Sequence, residues 1–487
     1  MEDITMRKIF QYIMLAVVTI VMASCTSDIE ETTATTGKSN VQLVVGEFPA
    51  FGDSQTRAIG TPDEGKTSWA EGDELLLEMT SKTLGTKYAA FKYNGSSWEL
   101  ASGELSYKED EVPTFPHVYY APNYKWEAGK LVLKEGKVAG TDEYIEGKAN
   151  ITPNGQGINV SFAEATRNYS RLRIATMPNK QITVDIDQYI PAGSNMERYQ
   201  DIALTSDEKG NAYLYGTFGK SAEVTVKYGR APLATHKFSQ ATVNAKSYVL
   251  DATVISANSA EEIKSAIEQE IANSKYDKNV ILTLPSNASS SLFEAINTAI
   301  KNSGVEDGTV NLTLMGVMTI PENAFNSLSG DAPGLLSVYL PDVTVIKSQA
   351  FEGNKLREID APNVEEIEFK AFYKCTKLED VSMRKASKIG LFAFSECRLL
   401  RSVWFGALSS VMSFSDDDDD LGGIFDKVNT TNIQLTLSTR QAKLGLVHTY
   451  EANYEWYSTG QSYWDSEDYS KNKILGYTFR RIIRADD

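Results

Sequence analysis

Leu356-Arg357-Glu358-Ile359-Asp360-Ala361-Pro362-Asn363-Val364-Glu365-Glu366-Ile367-Glu368-Phe369-Lys370-Ala371-Phe372 holds, in one stretch, a pattern that recurs along the C-terminal part of the chain. Isoleucine is followed five residues later by phenylalanine, with alanine just before the ring, at Ile320/Phe325, Ile346/Phe351, Ile367/Phe372 and Ile389/Phe394. The Phe-to-Phe steps are 26, 21 and 22 residues, and eight residues before each isoleucine stands another aliphatic: Leu312, Val338, Ile359 and Val381. Val403 and Val411 begin a fifth unit by the same spacing, and Ile424-Phe425 are placed to complete it after an insertion. A unit this short cannot bury its apolar side alone, so neighbouring units must stack and share one core. The phenylalanines are therefore predicted to lie inside.

A period of roughly 20–29 residues is that of leucine-rich repeats. The Ile-x-x-x-Ala-Phe, then Leu, then Pro-x-Val grammar resembles the BspA-type repeat of bacterial surface proteins. The resemblance spans about 310–440 and implies an α/β solenoid. Residues 256–309 read as its α/β N-terminal cap. Ser259-Ala260-Glu261-Glu262 and Ser291-Leu292-Phe293-Glu294 have the form of capping boxes. Each opens a helix with an apolar stripe, Ile263, Ala266, Ile267 and Ile271 in the first and Leu292, Phe293, Ile296, Ala299 and Ile300 in the second. Strands at Val280 to Leu284 and Val310 to Leu314 follow. Residues 441–487, with Tyr450, Trp456, Ile482 and Ile483, read as a C-terminal cap.

Residues 41–255 read differently. Val41, Leu43 and Val45 alternate, as do Ile182, Val184 and Ile186, and Val224, Val226 and Tyr228, which is the period of half-buried strands. Tyr88 to Tyr93 and Trp98 to Leu100 flank Asn94-Gly95, a hairpin turn. The expected class is an antiparallel β-sandwich region of one or two sandwiches, with a split near 165, followed by the solenoid. Thr56-Arg57-Ala58, Thr67 to Leu75 (TSWAEGDEL), Tyr119-Tyr120-Ala121-Pro122 and Lys246 to Leu250 (KSYVL) resemble the fimbrillin-like family of Bacteroidetes surface and pilus proteins. In polymerising members a protease cuts after an arginine that follows the first strand. The resemblance makes Arg57 the candidate for proteolytic maturation, with an ordinary linker arginine as the alternative.

At the N-terminus Arg7 and Lys8 precede an apolar run from Ile9 to Val21, the form of a secretory signal peptide over residues 1–24. Met22-Ala23-Ser24-Cys25 resembles a bacterial lipobox, which implies lipidation of Cys25. Residues 25–40 are polar enough for a flexible tether. Ser27 to Glu31 resembles the acidic signal that sorts Bacteroidetes lipoproteins to the outer face of the outer membrane. Met6 is an alternative start.

The formal net charge of −17 argues against nucleic acid, which needs clustered Lys and Arg. Three cysteines leave only Cys375 and Cys397 after lipidation, at equivalent positions of adjacent repeats. They read as stacked free thiols, with a disulfide as the minority alternative. Asp416 to Asp420 invites a calcium reading, but Leu421 and Lys427 stand where an EF-hand loop needs glycine and glutamate. Gly216-Thr217-Phe218-Gly219-Lys220-Ser221 mimics a phosphate loop without the right glycine spacing. His117, His236 and His448 are far apart, and no nucleophile elbow is present. The expectation is a non-enzyme without cofactor or metal. Three functions compete: adhesion or recognition of a protein or glycan ligand through the repeats, a pilus role among other fimbrial subunits, and polysaccharide capture.

Overall fold

The computed structural model describes residues 42–49, 51, 66–108, 111–153, 155, 157–162, 167–194, 198–273, 278–328, 332–406, 410–411, 423–438, 444–447, 455–458, 473–474 and 477–485. The signal peptide, Cys25, Arg57, Asp416 to Asp420, His448 and Tyr450 lie outside them. The chain forms two compact units: one gathers residues up to 49, 67–132 and 145–165, the other 50–66, 133–144 and 166–487. Among the described residues no helix is long and apolar enough to cross a membrane.

The first unit contains strands β1 (Gln42–Val45), β2 (Glu74–Ser81), β3 (Gly85–Tyr93), β4 (Trp98–Gly103), β5 (Thr114–Tyr120), β6 (Tyr124–Glu127), β7 (Lys130–Leu133), β8 (Ile145–Ile151) and β9 (Gly157–Ser161). Their main sheet runs β1-β9-β8-β5-β2-β3-β4, and alternate residues such as Leu75, Leu77, Phe91, Val118 and Ile158 build its core. Gly95 takes a φ of 95° in the β3–β4 turn, and the Asn94 carboxamide accepts the amides of Ser96 and Ser97, which closes the hairpin. The tryptophan of the TSWAEGDEL segment, Trp69, packs on Phe48, Trp98, Tyr120 and Phe162. Asp73 of the same segment accepts a hydrogen bond from the Tyr120 hydroxyl. That motif is therefore a clasp of the core.

The second unit opens with β10 (Ser170–Ala175), β11 (Gln181–Pro191), β12 (Arg198–Thr205), β13 (Asn211–Phe218), β14 (Glu223–Tyr228), β15 (Ala231–Lys237) and β16 (Ser247–Asp251). Their sheet runs β15-β14-β11-β13-β10-β16, with β12 paired to β11. Both sheets depart from a purely antiparallel arrangement, because β1 pairs parallel with β9 and β10 pairs parallel with β16. A parallel partner must come from a crossover and never from a hairpin, so sequence-adjacent strand signals do not announce it. A buried network braces this region: Arg167 pairs with Glu143, Tyr169 donates to the same carboxylate at 2.5 Å, and Phe51 lies under the guanidinium groups of Arg167 and Arg171.

Helix α1 (Ala260–Asn273), β17 (Lys278–Thr283), α2 (Ser290–Asn302) and β18 (Val310–Met315) come next. The first capping box forms: Ser259 Oγ accepts the Glu262 amide, and the Glu262 carboxylate reaches back to the Asn258 amide. The second does not. The helix starts at Ser290 with Ser289 as its N-cap, and that side chain bonds the Ser291 hydroxyl and no helix amide. The apolar stripes are as expected, with Ile263, Ala266, Ile267, Phe293, Ile296, Ala299 and Ile300 buried.

From β18 onward a longer strand alternates with a two-residue strand: β19 (Thr319–Ile320), β20 (Leu335–Tyr339), β21 (Val345–Ile346), β22 (Glu358–Asp360), β23 (Glu366–Ile367), β24 (Asp380–Met383), β25 (Lys388–Ile389), β26 (Ser402–Phe405), β27 (Ser410–Val411) and β28 (Gln434–Ser438). Small strands β29 (Leu444–Val447), β30 (Glu455–Ser458), β31 (Lys473–Ile474) and β32 (Tyr477–Thr478) precede β33 (Arg481–Ala485). Two parallel ladders result, β17-β18-β20-β22-β24-β26-β28-β33 and β19-β21-β23-β25-β27. Leu312, Val338, Ile359, Val381 and Val403 point inward from one, and Ile320, Ile346, Ile367 and Ile389 are buried in the other. Between them the phenylalanines form a column. Phe325, Phe351, Phe372 and Phe394 stack with ring centroids 5.1–5.2 Å apart, and Phe425 continues the column beyond the insertion. Edge-on Phe293 closes one end and Tyr477 and Phe479 the other.

Candidate binding face on the repeat ladder

Each inward aliphatic of the longer ladder has neighbours on both sides that point the opposite way, because side chains alternate across a strand. Parallel register lines these neighbours up in two outward columns. Ser337, Glu358, Asp380, Ser402 and Gln434 make one, and Tyr339, Asp360, Ser382, Trp404 and Thr436 the other. Adjacent members lie about 4.8 Å apart by strand spacing.

Part of this face is occupied by the chain itself. The turn between β14 and β15, Gly229-Arg230, sits on Tyr339, and the Arg230 amide donates to the Tyr339 hydroxyl. A Cβ at Gly229 would collide with that hydroxyl, so the close approach requires glycine there. The Arg230 guanidinium lies 5.2 Å from the Tyr339 ring centroid and pairs with both Glu358 and Asp360. Beside it, Asp342 accepts hydrogen bonds from the Tyr228 hydroxyl, the Lys180 ammonium and the Gly316 amide. Burial, and then this hydrogen bond to Asp342, push the Tyr228 phenol upward, so it stays a donor.

Asp360 is only 8% exposed, and burial raises its carboxyl pKa against the opposing pull of Arg230 and the Ser382 hydroxyl. Its Oδ1 and Ser382 Oγ are both sealed from solvent without meeting hydrogen-bond geometry. Trp404 follows Ser382 in the same column, half-buried, with the exposed Arg384 guanidinium stacked 4.2 Å from its ring centroid. Arg401 pairs with Glu379 at 2.5 Å and with Asp380 at 3.5 Å. The open part of the face is therefore an aromatic plane among hydroxyls, an amide and carboxylates that already face arginines.

Residues 309–417 match the BspA type leucine rich repeat region, in six copies. The matched segment thus carries strands β18 to β27 of the two ladders, with Trp404 among them. A comparison with curated proteins found no significant match. Among solved structures, a crystal structure of a candidate cell adhesion protein from Bacteroides fragilis NCTC 9343 is 10% identical and covers 44% of this chain and 92% of its own, at a TM-score of 0.25. A likeness that distant carries no argument about fold or function.

The other residues singled out from sequence fall elsewhere. Cys375 and Cys397 are free, fully buried and bonded to the Phe351 and Phe372 carbonyls, and burial raises both thiols above the usual range. Gly216 to Phe218 end β13, and Gly219 to Ser221 turn toward β14, with Ser221 at a φ of 74°. His117 meets Glu146 at 2.9 Å on the exposed side of β5, far in sequence from His236, which packs on Phe238. Among the described residues no group of three or more His, Cys, Asp or Glu is arranged to hold a metal ion. Sequence reasoning missed Trp404, Asp360 and Arg230. The first two were within reach, since they flank the aliphatic positions that set the repeat.

Proposed function

We propose that this chain is a lipid-anchored adhesion or recognition protein of the cell surface, one that presents the outer face of a leucine-rich repeat solenoid to a protein or glycan partner and performs no chemistry on it. The observation that carries the reading is the BspA-type repeat match combined with an outward column holding a half-buried tryptophan among polar groups. A repeat stack offers a long, rigid surface whose inward positions are fixed by packing and whose outward positions are free to vary. Half-buried aromatics dominate the energetics of such surfaces.

Anchoring belongs to the same proposal. Two or three acyl chains on Cys25, each methylene contributing about 0.8 kcal/mol, hold a protein durably at a membrane. The fimbrillin-like resemblance of residues 41–255 fits display at the cell surface.

The test displays the full chain on bacterial cells and counts attachment to epithelial cells and to sister bacteria. Trp404→Ala should weaken attachment about thirtyfold, as truncating a central aromatic costs about 2 kcal/mol. Lys388→Ala, on the short ladder, should leave it intact. Equal attachment by wild type and Trp404→Ala would remove the outer face from the reading.

A further inference from the structure

The outer face also restricts the chemistry of what it binds. Its four acids stand among three arginines, which leaves about one negative charge: Arg230 faces Glu358 and Asp360, Arg401 faces Glu379 and Asp380, and Arg384 lies on Trp404 beside Asp360. Little uncompensated charge remains there to draw a charged partner, although the whole chain carries −17. Nor do the described residues of the open part present the row of apolar side chains on which a protein partner anchors. Among the described residues Trp404 is its one large aromatic, and Ser382, Ser402, Gln434 and Thr436 surround it in the register.

Paired carboxylates and guanidinium groups keep lone pairs and N–H groups in fixed planes, ready to accept from and donate to hydroxyls in pairs. Serine and threonine hydroxyls and a carboxamide add groups that both give and accept. The Trp404 ring supplies a flat apolar surface of the kind that covers C–H groups. Arg384 now lies on that ring. It ends in solvent on a flexible stem, so it swings aside at small cost.

We infer that the Trp404 face takes an uncharged oligosaccharide, laid along the strand ladder with one sugar ring on the indole and neighbouring hydroxyls on Asp380 and Ser402. This inference rests on the outer-face reading given above and names the class of ligand for it. A basic or acidic protein segment is the competing occupant and is separated by the test.

The experiment applies the purified full chain to an array of neutral and sialylated oligosaccharides, with oligoarginine and oligoglutamate peptides on the same surface. The expected result is binding to one or more neutral oligosaccharides that survives added salt, because no net charge is matched. Trp404→Ala should lower it about tenfold or more, and Trp404→Phe should restore most of it. Unchanged thermal unfolding of both variants shows that the fold is kept. Binding only to the charged peptides, or sugar binding indifferent to Trp404→Ala, overturns the inference. Should Trp404→Ala abolish cell attachment while the array stays blank, the sugar class fails and the outer face stands.

Discussion

Phe372 lies between the rings of Phe351 and Phe394, 5.2 and 5.1 Å away and within 5° of parallel. Each phenylalanine therefore packs against the units before and after its own, and removing one opens a void in a column that cannot collapse sideways. Phe372→Ala should cost about 3–5 kcal/mol, read by denaturant unfolding of the full chain. The two thiols beside the column make a second prediction. Burial raises both, so the folded chain keeps them protonated where an unfolded chain ionises. Their contribution is present below the ordinary thiol pKa of 9.0 and is lost as pH rises above it. Stability should fall more steeply above pH 9.0 in wild type than in a Cys375→Ala/Cys397→Ala variant, and an alkylating reagent should label neither thiol until the chain unfolds. Inward residues of this kind were legible because a stack repeats its core at a fixed period. Arg230 was not, since its partners Glu358 and Asp360 stand 128 and 130 positions further along the chain.

Among the elements, the two-residue strands β19, β21, β23 and β25 are each followed by a turn with a strained residue. Asn323, Gln349, Lys370 and Phe392, three positions after the buried isoleucines, have φ values of 58°, 57°, 54° and 56°. None of these is glycine and only Asn323 is a type that favours the left-handed region, so the sequence carried little conformational flag, and the stacking of units holds the backbone there. Lys370→Gly should be tolerated, whereas Lys370→Val should lose about 1–2 kcal/mol from the left-handed conformation, compared by thermal unfolding. Helix ends divide similarly. At α1 the capping pattern was readable, and Ser259→Ala should cost about 1 kcal/mol. At α2 the same pattern misleads because the helix begins two residues earlier, at Ser290 with Ser289 as its N-cap, and so places Ser291 inside the first turn. Hairpins such as β3–β4 announce themselves through Asn94-Gly95. The β1–β9 and β10–β16 pairings do not, because their parallel partners are brought together by long crossovers.

At the scale of the molecule, the proposed function needs an anchor and a recognition face on one chain. Cys25→Ala should move the protein from the membrane to the soluble fraction and remove the acyl mass from its N-terminal peptide. Cleavage after Arg57 would part that anchor from the repeats, so an adhesin should keep a blocked Cys25, whereas a polymerising subunit would start at Ala58. N-terminal sequencing of protein taken from its native surface separates the two. A competition measures anchoring and binding together. Soluble Cys25→Ala protein, added in excess, should block attachment of cells that display wild type, while Cys25→Ala/Trp404→Ala protein should not. Equal blocking by the two, or blocking by neither, would contradict a chain that is anchored at one end and binds through its repeats.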